Sequence, residues 1–116
     1  MPWNVEICGE LEAEWDSLPE AVQDEILAHG KLLEQFGPQL GRPRVDTLKG
    51  SGYANMKELR FDAADGVWRV AFAFDPRRIG VLLVAADKSG VSQKRFYRQL
   101  IDKADTRYEA HLKKLK

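Results

Sequence analysis

The sequence has a single cysteine, Cys8, which excludes an intramolecular disulfide and a cluster of thiolate metal ligands. No apolar run approaches the roughly 20 residues that span a bilayer, and the longest, residues 79–86, has the length of a strand. The first residues lack the basic and apolar regions of a secretory signal. We therefore expect a cytoplasmic protein that has no contact with a membrane.

The net charge is zero, because 18 Lys and Arg residues balance 18 Asp and Glu residues. The positive and negative residues are, however, unevenly distributed along the chain. Residues 1–36 contain nine acids and one base, whereas residues 88–116 contain nine bases and three acids. Such asymmetry is typical of a chain with a polyanion-binding surface. The alternative is that each charged stretch is a solvated helix face, and composition leaves both open.

Motifs of familiar enzyme chemistry are missing as well. The sequence contains no phosphate-binding P-loop, no dinucleotide fingerprint and no Ser/His/Asp order. The two histidines, His29 and His111, have no His or Cys partner at metal-ligand spacing, so we expect structural or surface roles for them. We expect no bound metal and no cofactor, and we interpret Cys8 as a buried filler rather than a nucleophile.

The 116 residues, 44% of them apolar, have the size and the core of one domain, residues 1–116. Apolar periodicity predicts the order β-α-α-β-β-β-α, with strands near residues 3–7, 56–61, 67–74 and 79–86. Residues 37–55 are predicted to form a loop, because glycine and proline punctuate them. Ser17 and Ser92 are predicted to cap the second and third helices. These elements predict an α+β fold, with a mainly antiparallel sheet packed against a helical pair and a C-terminal helix.

A β-hairpin is predicted over residues 56–74, with its turn at Asp65-Gly66, where Asp-Gly supplies left-handed backbone geometry. Each strand carries an arginine, at Arg60 and Arg69. An arginine within an apolar strand is unfavourable unless it meets a carboxylate or a phosphate. Because the two-residue period allows both arginines to share a face, the sequence predicts a cationic site for a phosphate-bearing partner, with RNA as the leading candidate.

The residues beside Arg69 predict that this site is open. Ala71 and Ala73 share its face and are expected to leave space above it, which would give the sheet a shallow cationic floor. The alternative is structural, with both arginines paired to Glu58, Asp62 or a carboxylate of the first helices. The sequence leaves both alternatives open.

Further bases surround the predicted site. Lys88 follows the last strand and can reach the rim, whereas Lys57 falls on the opposite face by strict alternation. A later segment interleaves cations with aromatic residues, which suits contact with an RNA backbone and stacking on bases; it runs from Lys94 to Arg98 and includes Phe96 and Tyr97. The alternative is that these two aromatic side chains lie in the core.

Several short motifs in a fixed order carry a family resemblance: Leu48-Lys49-Gly50, Glu58-Leu59-Arg60, Trp68-Arg69-Val70 and the run from Leu82 to Lys88. In these motifs and in its element order, the chain resembles HigB-like toxins of the RelE/ParE superfamily from about residue 3 to residue 108. The resemblance implies the toxin of a type II toxin–antitoxin system. It further implies a ribosome-dependent mRNA endonuclease that uses the RNA's own 2′-hydroxyl and no metal.

The resemblance also implies roles for individual residues. Arg60 and Arg69 would clamp the scissile phosphate, Lys88 would assist at the rim, and Tyr97 would act as an acid, a base or a stacking platform. The RNA-binding residues would be Lys49, Lys57, Lys94, Arg95 and Arg98. No residue is assigned as the general base.

The implied partners are the ribosome with its mRNA and a HigA-like antitoxin with a helix-turn-helix DNA-binding domain. Two other functions stay open. One is inhibition of DNA gyrase, as in ParE-like toxins, and the other is a non-catalytic role as a protein-binding regulator.

Overall fold

The structure, a computed structural model, describes residues 2–116, which form five strands, three α-helices and two short 3₁₀-helices at Trp15–Ser17 and Gly37–Gln39. In chain order the strands and α-helices are β1 (Asn4–Ile7), α1 (Gly9–Glu14), α2 (Glu20–Phe36), β2 (Val45–Thr47), β3 (Lys57–Ala63), β4 (Gly66–Phe74), β5 (Ile79–Asp87) and α3 (Gln93–Lys114). Within residues 2–116, no helix is long and apolar enough to cross a bilayer.

The strands form one sheet in the order β1-β5-β4-β3-β2. Strands β2 to β5 pair antiparallel with their neighbours, and β1 joins β5 in parallel. The predicted α+β class with a mainly antiparallel sheet is therefore confirmed. The prediction of an unbroken loop over residues 37–55 is wrong, because β2 lies within it. This strand is too short to show a sequence period, and it forms by pairing Val45 with Leu59 of β3.

Different helices cover the two faces of the sheet. The ring of Phe61 in β3 lies 5.2 Å from the ring of His29 in α2, measured between centroids. On the same strand, Glu58 accepts a hydrogen bond from Tyr97 of α3. Since alternate residues of a strand point to opposite faces, α2 covers one face of the hairpin and α3 covers the other.

The ends of the helices show one correct cap prediction and one wrong one. Ser92 Oγ accepts a hydrogen bond from the backbone N–H of Arg95 at 3.3 Å, which confirms the predicted cap of α3. At α2 the capping residue is Pro19, and its side chain makes no cap. The hydroxyl of Ser17 instead donates to the carbonyl of Glu14 at 2.6 Å, a local bond that competes with capping.

The hairpin turn lies one residue earlier than the sequence predicts. Ala64 and Asp65 adopt positive φ angles of 51° and 59°, as a two-residue type I′ turn requires, whereas Gly66 already belongs to β4. Glycine is needed at position 66 for a different reason. A Cβ atom there would lie 2.7 Å from Asp87 Oδ2 and 2.9 Å from Trp68 Nε1.

Replacing Gly66 tests this close approach. Gly66→Ala is expected to lower the free energy of unfolding by about 1–3 kcal/mol, because the added methyl group overpacks the start of β4. The matched control is Gly30→Ala within α2, where a Cβ atom meets nothing within 4 Å. This control is expected to gain about 0.5–1 kcal/mol from helix propensity. Urea unfolding measures both, and unchanged stability of Gly66→Ala would contradict the argument.

Candidate RNA-binding and catalytic site

An open cleft of about 640 Å³ lies between β2, β3 and the N-terminal end of α3. We call it the basic cleft, because five of its lining residues are Lys or Arg and two are Asp or Glu. Such an excess of positive charge in a concave surface attracts polyanions. The lining residues are Arg42, Asp46, Thr47, Leu48, Lys49, Glu58, Arg60, Lys88, Gln93, Lys94 and Tyr97.

The fold brings together five of the nine site residues that the sequence predicts. They come from the segment after β2, from β3, from the segment after β5 and from α3, so they are distant in sequence. This convergence makes the basic cleft the candidate functional site. The five residues are Lys49, Arg60, Lys88, Lys94 and Tyr97.

The other predicted cations lie outside the cleft. Lys57 Nζ donates to the carbonyl of Pro38 at 3.0 Å, on the face that strict alternation predicts for it. Arg95 and Arg98 are exposed on α3 but do not line the cleft. Phe96 is 4% exposed, so for this residue the alternative of a core role is correct.

Arg60 has a guanidinium that stays available to the cleft. Its side chain is 30% exposed, and its Nη1 lies 3.7 Å from Asp46 Oδ2. That carboxylate is engaged more closely by others, because it accepts from the Thr47 backbone N–H at 2.8 Å and from Arg42 Nη2 at 2.9 Å. These hydrogen bonds hold the pKa of Asp46 below its ordinary value. Asp46 therefore stays ionised, and it lies near Arg60 without tying up its donors.

Arg69 lies beneath the cleft and is only 6% exposed. Its Nη1 donates to the Trp68 carbonyl at 2.9 Å, and its Nε donates to the Tyr97 hydroxyl at 3.3 Å. The same Nε is 3.5 Å from Glu58 Oε1. The pairing with Glu58, which the sequence left open as an alternative, is thus present for this arginine.

The predicted open floor above Arg69 is wrong. Ala71 and Ala73 beside it are completely buried. The reason is that α3 packs against β4 and β5, so the space over these small side chains is filled by the helix. The two-residue period of the strand predicted correctly which face of the sheet Arg69, Ala71 and Ala73 share. It did not show that α3 covers this face.

Glu58 is one of the lining residues that the sequence analysis did not assign to the site. It is 5% exposed, and its Oε1 accepts a hydrogen bond from the Tyr97 hydroxyl at 2.8 Å. Burial raises the pKa of Glu58 above its ordinary value, and the hydrogen bond from Tyr97 and the charge of Arg69 offset only part of this effect. A signal was available, since alternation places Glu58 on the face of Arg60.

Tyr97 connects the buried network to the cleft. Burial raises the pKa of its phenol, so the hydroxyl remains protonated and donates to Glu58 at neutral pH. Lys88 Nζ lies 5.8 Å from the centre of the Tyr97 ring. The cleft thus combines cations that can bind a phosphate with a carboxylate that can accept a proton.

The histidines and the cysteine lie outside the basic cleft. His29 is buried in α2, and His111 Nε2 lies 2.8 Å from Asp75 Oδ2. Cys8 is buried, and its Sγ donates to the carbonyl of Leu83 at 3.3 Å. Across residues 2–116, no group of three or more His, Cys, Asp or Glu side chains is placed to hold a metal ion.

The sheet order and the C-terminal helix define a RelE-like fold. The structure is similar to that of an arginine-to-alanine double mutant of the E. coli toxin RelE in the free state, with a TM-score of 0.62 and 10% sequence identity. The similarity covers 89% of this chain and 97% of that chain. At this level of identity, it shows the fold alone.

The chain belongs to the family of phage derived Gp49-like proteins, whose profile matches residues 13–109. Two relatives in Mycobacterium tuberculosis are named as candidate toxins. HigB2 is 35% identical over 111 residues, which cover 95% of this chain and 54% of the relative. HigB3 is 50% identical over 78 residues, which cover 67% of this chain and 66% of the relative. The chain thus spans about half of HigB2 and slightly less than two thirds of HigB3. The resemblance to HigB-like toxins is confirmed.

Proposed function

We propose that residues 1–116 form one toxin domain of a type II toxin–antitoxin system, and that it acts in the cytoplasm as a ribosome-dependent endonuclease of mRNA. The relatives named as candidate toxins and the RelE-like fold support the toxin class. The proposal of nuclease activity rests on one observation. Glu58, a carboxylate with a raised pKa, lines the same cleft as the cations Arg60 and Lys88.

The proposed reaction uses the RNA's own 2′-hydroxyl as the nucleophile. The Glu58 carboxylate takes the hydroxyl proton, and the 2′-oxygen forms a bond to the adjacent phosphorus. The bond from phosphorus to the 5′-oxygen breaks, and the Lys88 ammonium protonates the departing oxygen. The products are a 2′,3′-cyclic phosphate and a 5′-hydroxyl. A raised pKa makes the Glu58 carboxylate a stronger base than an ordinary one.

The arginines divide into two roles. Arg60, with its exposed guanidinium, holds the phosphate oxygens as charge develops on them. Arg69 is a positioning residue, since it contacts Glu58 and Tyr97 from below and orients both. The remaining cations contact the RNA backbone over a wider surface: Lys49, Lys57, Lys94, Arg95 and Arg98.

The ribosome would bring mRNA to the basic cleft, which the chain's net charge cannot do. With a net charge of zero, the protein has little long-range attraction for free RNA. Presentation of the mRNA by the ribosome would place the scissile phosphate in the basic cleft and hold the 2′-hydroxyl in line for attack on it. The partners we propose are therefore the ribosome with its mRNA and a HigA-like antitoxin.

Inhibition of translation tests this function. Arg60→Ala is expected to weaken inhibition about 10²- to 10³-fold in a bacterial extract programmed with purified mRNA, because a charge-stabilising donor is lost. Lys31→Ala is the control, because Lys31 is an exposed base on α2, on the other face of the sheet, and does not line the cleft. We expect it to inhibit within a few-fold of the wild type. Circular dichroism confirms that both variants are folded.

Two results would contradict the proposal. Full inhibition by folded Arg60→Ala would remove this residue from the site. Normal protein synthesis in the presence of the wild type would instead favour gyrase inhibition or a non-catalytic role, because translation of purified mRNA needs no DNA gyrase.

A further inference from the structure

A second groove, of about 810 Å³, lies at the edge of the sheet opposite to β2 and the basic cleft. One side is β1, and the other is formed by α1, the turn after it and α2. We call it the acidic groove; it is lined by Val5, Glu6 and Ile7 and, on the helical side, by Glu12, Trp15, Asp16 and Leu27.

The groove leaves apolar side chains uncovered. Leu27 is 53% exposed, which makes it the most exposed large apolar residue within residues 2–116. Val5, Ile7 and Trp15 beside it are only partly buried. Clustered apolar surface of this kind is typical of a site that a protein partner covers.

The charges around these apolar residues have one sign. The ionisable residues of the groove are Glu6, Glu12 and Asp16. Glu6 lies 3.6 Å from Arg77 Nη2, whereas neither Glu12 nor Asp16 joins an ion pair in the described part of the chain. Residues 1–36 as a whole contain nine acids and one base, so the groove repels RNA and attracts a basic partner.

The backbone of β1 offers unpaired hydrogen-bonding groups along the same groove. β1 is an edge strand whose one neighbour is β5, and the N–H of Cys8 donates to the carbonyl of Leu82 at 3.0 Å. Because alternate residues of a strand bond to alternate sides, the N–H and C=O groups of Val5 and Ile7 point away from β5. An extended peptide can pair with such an edge.

We propose that the acidic groove is the docking site of the antitoxin, which adds an extended segment of apolar and basic residues to the open edge of β1. The segment's apolar side chains cover Leu27 and Trp15, and its Lys and Arg side chains meet Glu12 and Asp16. This inference rests on the proposed toxin function. Because the groove and the basic cleft lie at opposite edges of the sheet, antitoxin binding and mRNA cleavage are separable by mutation.

Substitution of Leu27 tests the docking site. Leu27→Lys is expected to weaken binding of the purified HigA-like antitoxin about 10- to 100-fold, because a leucine that the antitoxin would cover is lost and a cation is placed against cations. Phe36→Lys is the matched control, because Phe36 is also on α2 and 45% exposed but lies outside the groove. Titration calorimetry measures both. An unchanged Kd for Leu27→Lys, or equal weakening in both variants, would overturn the proposal.

Amide hydrogen exchange tests the pairing of strands without a substitution. The amides of Val5 and Ile7 are expected to exchange at least about tenfold more slowly in the antitoxin complex than in the free protein. The amide of Glu6, which bonds to β5 in both states, should change little. Equal exchange of Val5 and Ile7 in both states would exclude addition of a strand at this edge.

Different experimental results would reject the proposed docking site and the proposed toxin function. If the Leu27→Lys variant still stops translation and the antitoxin no longer neutralises it, the docking site and the toxin function are both supported. Normal translation with the wild type, together with loss of binding in Leu27→Lys, would reject the toxin function and retain the docking surface. Inhibition that the antitoxin still neutralises in Leu27→Lys would reject the docking surface alone.

Discussion

Glu58→Gln is expected to slow mRNA cleavage about 10²- to 10⁴-fold, the usual contribution of a general base. The amide keeps the shape of the side chain and can still accept the Tyr97 hydrogen bond, which is 2.8 Å long in the structure. It cannot accept the proton of the 2′-hydroxyl. The measurement is the single-turnover rate of cleavage of ribosome-bound mRNA, with circular dichroism to show that the variant is folded.

Asp62→Asn is the matched control for this prediction. It also removes a carboxylate from β3, but Asp62 is exposed and does not line the cleft. We expect its cleavage rate to stay within about twofold of the wild type, as is usual for exposed substitutions away from a site. A folded Glu58→Gln protein with the full rate would exclude Glu58 as the base and leave catalysis to positioning and electrostatics.

The pH profile of the same rate provides a second check. Because burial raises the pKa of Glu58, its base form is lost at a higher pH than that of an ordinary carboxylate. As the pH is lowered, cleavage by the wild type is therefore expected to decline before the pH reaches the ordinary pKa of a carboxylate. The residual activity of Glu58→Gln should lack this step.

Arg69→Met is expected to lower the free energy of unfolding by about 3–5 kcal/mol, the usual effect of breaking a buried ion pair. Methionine fills much of the same space, but it removes the guanidinium that lies 3.5 Å from Glu58 Oε1. The carboxylate then stays buried beside Tyr97 without that charge. Urea unfolding measures the change, and Arg60→Ala, which alters a partly exposed side chain, should lose less than about 1 kcal/mol.

The loss in Arg69→Met is expected to grow with pH. Removal of the positive charge raises the pKa of Glu58 further, so the folded variant binds a proton there that the unfolded chain releases. The loss should be smallest where Glu58 is protonated in the folded wild type as well, and it should increase as the pH rises above the raised pKa that Glu58 has in the wild type. A loss that is independent of pH would contradict the role of this pair.

A double variant separates the charge from the packing. Glu58→Gln with Arg69→Met leaves no ion of the pair in the interior, and such replacements are often neutral for stability. We expect the double variant to recover most of the stability that Arg69→Met loses. Additive losses would show that the two side chains stabilise the fold independently.

The local features of the fold were predictable because short-range rules decide them. Alternation placed Arg60 and Arg69 on one face, and the two lie directly opposite each other in the register of β3 and β4. The cap at Ser92 follows from the preference of helix ends for a side-chain acceptor. By contrast, β2 has three residues and is stabilised by pairing with β3, which no local pattern reveals.

The sequence predicted most of the cations of the candidate site, but it did not predict which of the charged residues are buried. The sequence identified the cations of the cleft because Lys and Arg are conspicuous in and beside apolar strands. It did not show that α3 buries Arg69, since that depends on how a distant helix packs. The sequence did not single out Glu58, which we propose as the base, for the same reason. Its raised pKa arises from burial, and its hydrogen-bond donor, Tyr97, lies 39 residues away in the sequence.

Whether this protein cuts mRNA on the ribosome through attack of a 2′-hydroxyl is tested most directly by the chemistry of the new RNA ends. We would map the ends in a translation extract with and without ribosomes, using the wild type and Glu58→Gln. We expect upstream fragments that end in a 2′,3′-cyclic phosphate, only with ribosomes and only with the wild type. Fragments with 3′-hydroxyl ends, cleavage without ribosomes, or no new ends would contradict the proposed function.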